Sequence, residues 1–414
     1  MKRLLLLAAT TGYQTKIFAE AAQSLGLDLV MATDRCHVLD DPWGDHALPV
    51  RFEEPEAAAA NLAQLAPPPD AIVAIGDRPA YIAALTAQSL GLPYNSPESV
   101  AACRNKFLAR EKFRSAGLPV PRFARLPLSG AANPIGYPCV LKPLGLSASR
   151  GVIRADDDRE FAEAFARIRA ILTSPEILRL HEEQDQFIHV EEFIEGREFA
   201  LEGILTDGKL QVLAVFDKPD PLDGPYFEET LYITPSREPE ASDLIATTER
   251  AIAALGLTRG PIHAEMRLNS SGVWMLEVAA RPIGGICVKA LRFGANGSMS
   301  LEELILRHAA GEDVRRVERE SKASGVMMIP IPKNGIYRGV ANLEKASDIA
   351  EVIITAKEGQ RLLRLPEGNS YLGFIFAAAA TPDQAEDTIR RAHAELQFDI
   401  ATQLEVVRAG TRAG

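Results

Sequence analysis

Apolar and polar positions change rhythm along this chain, and the changes divide it. Over residues 1–104, short apolar runs alternate with stretches of helical period. Leu4–Ala9 reads as a strand, Lys16–Leu25 as a helix and Leu27–Ala32 as a second strand. Ala71–Ile75 is a further strand that ends in Gly76-Asp77, and a helix runs through Ile82–Leu90. Such alternation predicts βαβ units on a parallel sheet. The opening MKRLLLLAA imitates a secretion signal, but its apolar run is short and enters the polar Thr10-Thr11-Gly12-Tyr13, so a first strand is expected. The loop after that strand is where such sheets bind ligands, yet TTGYQT holds one glycine and no GxGxxG, which argues against a dinucleotide site.

A Pro/Gly cluster, GLPVP (117–121), precedes a different pattern of shorter strands and hairpins. FALEGILTDGKLQVLAVF (199–216) predicts two strands around Asp207-Gly208. A helix over Ala241–Leu255 leads into GPIHAEMRL (260–268), which is expected to pair with GVWMLEVAA (272–280) across a four-residue turn, 269–272. A third region follows residue 324, with strands at Gly325–Ile331, Ile349–Ile354 and Tyr371–Ala378 and a helix at Gln384–Leu396. FIFAAAA (374–380) is a core strand, and no segment approaches the ~18 apolar residues of a membrane span.

The chain has 414 residues, too many for one compact core. Its formal net charge is −11, and no lysine/arginine stripe is interleaved with aromatics. That argues against a nucleic-acid partner held through phosphates, while a local pocket for a nucleotide stays open. Cys36, Cys103, Cys139 and Cys287 are scattered without a CxxC pair, which points to reduced thiols and a cytoplasmic protein.

The candidate chemistry starts with two glutamates. Glu265 and Glu277 fall on the two strands of the predicted 260–280 hairpin, opposite or nearly so, where side chains share a face ~5 Å apart. Two carboxylates that close repel, at a cost of several kcal/mol in an apolar sheet, unless a cation lies between them. Oxygen-only ligands suit Mg²⁺, completed by water and substrate phosphates. The competing reading is a salt-bridged pair with Glu277 held by Arg281. Behind Glu277, Gly284-Gly285 offers unobstructed backbone amides for an anion.

A magnesium–nucleotide site also needs cations. Lys142 ends the apolar strand YPCVLKP and precedes LGLSASRGV, a Gly/Ser loop with Ser147 and Ser149 that can close over phosphates. Lys106 begins a helix. In HVEEFIEGREFALEG (189–203), a strand enters a turn whose backbone can meet an adenine edge, with a glutamate following that can accept ribose hydroxyls. His263 sits two residues before Glu265, and a satisfied core imidazole is favoured over a general base.

Taken in order, Lys106, Lys142 with its Ser/Gly loop, EEFIEGRE, Glu265 and LEVAARPIGG resemble the ATP-grasp superfamily of carboxylate–amine ligases, over nearly the whole chain. The closest resemblance is to the L-amino acid ligases, which make dipeptides. It implies an α/β and α+β architecture: an N-terminal Rossmann-like domain (1–104), a two-lobed ATP-grasp domain (105–324) with a lid at 137–195, a C-terminal α+β ligase domain (325–408) and a tail (409–414). It implies that Lys106 and Lys142 hold the α- and β-phosphates, that Glu191, Glu192 and Ile194 line the adenine hinge, and that Glu198 binds ribose. Glu265 and Glu277 would ligate Mg²⁺, with Mn²⁺ as a substitute, and Arg281 would serve the γ-phosphate and the acyl phosphate.

Glu229, in PYFEETLYITPS (225–236), matches a glutamate that binds the substrate ammonium. Two departures stand out: Tyr232 where relatives often have histidine, and Ala279 where many have a metal-binding asparagine. The implied reaction activates a carboxylate with ATP as an acyl phosphate, then condenses it with an amine, giving ADP and phosphate. Arg281, Gly284 and Gly285 would stabilise the tetrahedral oxyanion. Two amino acids giving a dipeptide is the leading expectation, in a homodimer without membrane or nucleic-acid partners. Alternatives are a carboxylase-like or other amide-forming ligase, a kinase of the same fold, and a nucleotide-binding module without turnover.

Overall fold

A computed structural model describes residues 1–9, 12–34, 47–130, 132–239 and 241–402; Thr10, Thr11, Cys36 and the expected tail 409–414 lie outside them. The leucine run at the start is strand β1 (Arg3–Ala8), flanked in a parallel sheet by β2 (Asp28–Thr33) and β4 (Ala71–Ile75), with β3 (Ala47–Pro49) at the edge beside β2. The run is continuous because both faces are covered. Leu5 and Leu7 join one core with Ile82, while Leu4 and Leu6 join another with Phe18 and Met31.

A small lobe follows, with order β5-β8-β6-β7: β5 (Phe123–Pro127), β6 (Cys139–Pro143), β7 (Ile153–Ala155) and β8 (Phe187–Glu192). Helix Asp158–Leu172 covers it. Phe161, Ala164, Phe165, Ile168 and Leu172 recur at helical spacing on its buried side, and Asp157 caps its start by accepting from Glu160 N.

The largest sheet is antiparallel and holds the site. Its first strands are β9 (Arg197–Thr206), β10 (Lys209–Lys218), β11 (Leu231–Thr234), β12 (Gly260–Asn269) and β13 (Gly272–Ala279), in the order β13-β12-β9-β10-β11. Beyond β11 the same sheet continues through Ala323–Ile329, Gly373–Ala379 and Glu351–Ile354, giving eight strands. The change of pattern at residues 324–325 therefore falls inside a hydrogen-bonded strand rather than in a linker. Cys103, Cys139 and Cys287 are free and buried. Among the described residues no helix is long and apolar enough to cross a membrane.

Alternation sorts the two faces of this sheet. Phe199, Leu201 and Leu205 on β9 and Ile262, Ala264, Met266 and Leu268 on β12 face a shared apolar core with helix Ala241–Leu255. The intervening positions, Glu198 and Glu202 on β9 and His263, Glu265 and Arg267 on β12, fall on the other face. Cross-strand register sets His263 against Glu202, Arg267 against Glu198, and Lys218 of β10 against Glu198.

Candidate active site

Glu265 and Glu277 are direct cross-strand partners. A uniform ladder from the Asn269–Gly272 pairing would set Leu276, not Glu277, opposite Glu265. The register shifts between Glu265 and Met266, leaving Leu276 as the extra residue. That bulge turns Glu277 onto the polar face. It is fastened from below: Arg110, fully buried, donates from Nη1 to the Leu276 carbonyl at 3.0 Å.

The two carboxylates have separate cations. Lys106 Nζ lies 3.7 Å from Glu277, and also donates to the Leu146 carbonyl at 2.7 Å. Asn105 caps the helix that Lys106 begins, accepting from Phe107 N and Leu108 N. Glu265 receives His263 Nε2 at 3.0 Å and Lys218 Nζ at 3.1 Å. The competing reading, Glu277 salt-bridged to Arg281, is not what forms. Arg281 is held by Asp77, with Nε to Oδ1 at 2.7 Å and Nη2 to Oδ2 at 3.3 Å.

Lys218 was not singled out from the sequence, yet it sits at the centre of the acidic cluster. Its ammonium is 2.8 Å from Glu198, 3.0 Å from Glu229 and 3.1 Å from Glu265. Oxygens of those three glutamates all lie within 4.8 Å of one another, a hard-oxygen set of the type that holds a divalent cation. Burial opposes the charge on Lys218, but the three carboxylates outweigh it and hold its pKa well above the usual lysine value. Burial and nearby Glu265 push Glu229 up to about 7. Tyr232, 1% exposed, donates to Glu229 at 2.8 Å and stands 3.4 Å from Glu265, so it bridges the two acids.

His263 is a satisfied imidazole. Its Nδ1 meets Glu202 and its Nε2 meets Glu265; burial works against its charge, but these acids raise its pKa to about 10. Glu202 also accepts from Ile283 N at 3.1 Å, which ties the segment after Arg281 to the sheet. Ala279 is buried opposite His263 and contributes no ligand atom. Gly284 has open space where a Cβ would stand, whereas the Gly285 carbonyl accepts from Gln14.

Lys142, on β6, meets Glu191, which also takes Arg110 through Nε at 2.8 Å and Nη2 at 3.2 Å and His189 Nε2 at 2.9 Å. Burial lowers Lys142 to about 8, with Glu191 opposing. The Glu191 carboxylate is thus held on several sides by Arg110, Lys142 and His189. Glu198 is likewise engaged, with Lys218 and with Arg267 Nε at 3.0 Å, rather than open to a ribose. The Ile194 carbonyl accepts from Arg267 Nη1 at 2.6 Å. Glu192 points outward to Arg122 at 3.3 Å. Ser147 and Ser149 flank Ala148 in the glycine loop, where Ala148 and Ser149 have φ of 54° and 52°, a left-handed conformation that aims successive backbone amides.

A small open pocket is lined by Ala148, Glu228, Ile331, Leu363 and Tyr371 among others. A second pocket is lined by Tyr94, Arg259, Ala280 and His308 among others.

Residues 135–290 match the family model for an ATP-grasp domain, and residues 327–401 match the model for the L-amino acid ligase C-terminal domain 2. Over 325 residues the chain is 26% identical to the uncharacterized protein y4rH of Sinorhizobium fredii, covering 76% of this chain and 65% of that one. Over 216 residues it is 28% identical to the alanine–anticapsin ligase of Bacillus subtilis, covering 48% of this chain and 45% of that one. The match thus spans less than two thirds of the length of either relative. The crystal structure of an L-amino acid ligase from Bacillus licheniformis superposes with a TM-score of 0.80 at 25% identity, covering 97% of this chain and 99% of that one.

Proposed function

The chain belongs to the ATP-grasp superfamily, and from that premise we propose that it is an ATP-dependent ligase which activates a carboxylate as an acyl phosphate and joins it to an amine, with two L-amino acids as substrates and ADP and phosphate as by-products. The observation that carries this reading is the single sheet face on which Glu265 and Glu277 oppose each other within a ring of Lys106, Lys218 and His263.

Both reactants of the first step are anions, so the site must neutralise charge before they meet. Lys106, which donates to the Leu146 carbonyl of the glycine loop, and Lys142, on the strand that enters the loop, would meet the phosphates. Arg281, fixed by Asp77, presents its guanidinium to the γ-phosphate and then to the acyl oxygen. The donor set suits a hard divalent cation: Glu265 and Glu277 would hold Mg²⁺ or Mn²⁺, which when bound supplies positive charge to the transferring phosphoryl group. Glu198 takes a ribose contact only by releasing one of its two cations. Glu192 and the 193–195 backbone line the adenine side.

Carboxylate oxygen attacks the γ-phosphorus, ADP leaves, and the acyl phosphate forms. The amine nitrogen then attacks the acyl carbon; Arg281 and the amide of Gly284 stabilise the oxyanion, and phosphate departs. Glu229, with Tyr232 aligning it, holds the ammonium of the carboxylate donor. Water must be excluded during this sequence. The lobe at 137–195 acts as the lid, and it is already strapped to the C-terminal region: Gly151 N donates to the Pro366 carbonyl at 2.9 Å, and Arg167 grips Glu367 through two bonds of 2.9 Å. Residues 1–104, 105–324 and 325–408 then serve as substrate platform, ATP-grasp unit and closing unit.

Incubation with ATP, Mg²⁺ and mixed L-amino acids is expected to give ADP and a product lighter than the summed amino acids by one water. Phosphate release without a condensed product, or a stable phosphate ester, contradicts the ligase. Glu277→Ala is expected to lower turnover by about 10³-fold or more, with unchanged circular dichroism.

A further inference from the structure

Two arginines that no step above uses converge on one carboxylate. Arg78 Nε donates to Glu182 Oε1 at 2.7 Å, and Arg104 Nη2 donates to the same oxygen at 2.9 Å. They arrive from different elements. Arg78 is the second residue of helix Asp77–Leu90, and Arg104 caps the end of helix Pro97–Cys103. Glu182 comes from the lid lobe, just ahead of β8.

The place matters more than the bond. Asp77, beside Arg78, is the residue that fixes Arg281. Lys106, two residues after Arg104, is the one that faces Glu277. Arg104 and Lys106 both act electrostatically on Asp77, so these groups form one neighbourhood. The arginine pair therefore borders the region where the acyl phosphate would be attacked. Two guanidinium donors on one oxygen are a strong seat for a carboxylate.

Gln184 also donates to Glu182 and accepts from Asn105 Nδ2 at 3.1 Å, yet the segment that fills this seat leaves one buried polar atom unsatisfied. Asp185, three residues after Glu182, is 6% exposed, and its Oδ2 has no hydrogen-bond partner. Burial, with Glu182 adding repulsion, pushes the Asp185 carboxyl up to about 6. A buried acceptor left without a donor destabilises the arrangement that holds it. A rearrangement that lifts residues 182–185 away from the arginines would let water reach that oxygen.

Chemistry supplies the occupant. In the ligase reading, on which this rests, the amine-bearing substrate is itself an amino acid. Its own carboxylate is not consumed, and it must be anchored so that its nitrogen, and not its carboxylate, meets the acyl carbon. We propose that Arg78 and Arg104 bind the free carboxylate of the amine-bearing substrate, and that Glu182 is the internal carboxylate this substrate displaces.

The test compares a panel of L-amino acids with their primary amides as amine substrates, in the wild-type protein and in Arg78→Gln, Arg104→Gln and Glu182→Gln, following ADP release. Loss of one charged hydrogen bond corresponds to about 10–100-fold in kcat/KM. Arg78→Gln and Arg104→Gln are expected to lose about that much with the acids, lose little with the amides, and keep KM for ATP. Glu182→Gln is expected to lower KM for the acids, because their competitor is weakened. Equal losses with acids and amides, or a rise in KM for ATP in Glu182→Gln, overturn the proposal and make the contact a lid latch. If no amino acid stimulates ADP release in the wild type, the ligase reading itself fails; if acids stimulate and the acid-to-amide ratio is unmoved in the variants, only the carboxylate seat fails.

Discussion

Strands β1 and β12 are both buried, and they are built on opposite rules. In β1 the leucines of both faces, Leu4 to Leu7, are fully covered by apolar neighbours. In β12 one face repeats that choice with Ile262, Ala264 and Met266, while the other buries His263 and Arg267 around a half-buried Glu265. Charge inside a protein is costly unless matched, and here Glu265 meets His263 of its own strand and Lys218 of β10, while Arg267 meets Glu198 of β9. The first strand gives the molecule rigidity. The second spends stability on a preorganised charged surface, which is where a reaction between two anions can be run.

Breaking each rule should have a different signature. Lys218→Met removes the cation shared by Glu198, Glu229 and Glu265. It is expected to cost about 3–5 kcal/mol of stability, and turnover should fall with it. Leu6→Ala is expected to cost about 2–5 kcal/mol through a cavity, yet leave kcat per folded molecule unchanged. Denaturant melts with parallel ADP assays separate the two. A Lys218→Met protein with full activity would show that the cluster is packing, not chemistry.

A smaller effect sharpens the contrast. Strand β6 is apolar along its length except for Lys142, a single buried charge in an otherwise β1-like strand. Burial lowers its pKa to about 8, and Glu191 favours the charged form. Lys142 therefore loses its proton as pH rises through about 8, and with it the proposed contact to phosphate. The expected kcat/KM for ATP falls on that alkaline side, by no more than about tenfold per pH unit. Glu191→Gln removes the favouring anion and should move the limb to lower pH. A profile flat between about pH 7 and 9.5 would contradict this role for Lys142.

Much of this was legible in the sequence. Ala71–Ile75 and Ala241–Leu255 have the predicted bounds, because turn glycines and helical period mark them sharply. The 260–280 hairpin and its glutamate pair were also readable, since a short turn fixes local register. What was hidden is non-local. The bulge at Leu276 depends on Arg110, which lies 166 positions away in the chain. Lys218 joins the cluster only once β10 is registered on β9. The ion pairs that hold Glu191 and Glu198, to Arg110, Lys142, Lys218 and Arg267, were hidden too, because those partners come from other strands and helices. The continuity of the eight-stranded sheet past residue 324 was invisible for the same reason: strand pairing across it leaves no local trace.

In the proposed mechanism Glu265 and Glu277, brought opposite each other by the bulge, grip a divalent ion beneath ATP. Titration calorimetry of ATP into the protein, with and without Mg²⁺, tests it most directly when repeated on Glu277→Gln. Mg²⁺ is expected to tighten ATP binding in the wild type, and this gain is expected to be largely lost in the variant. Equal Mg²⁺ dependence in both proteins, or none in the wild type, would contradict it.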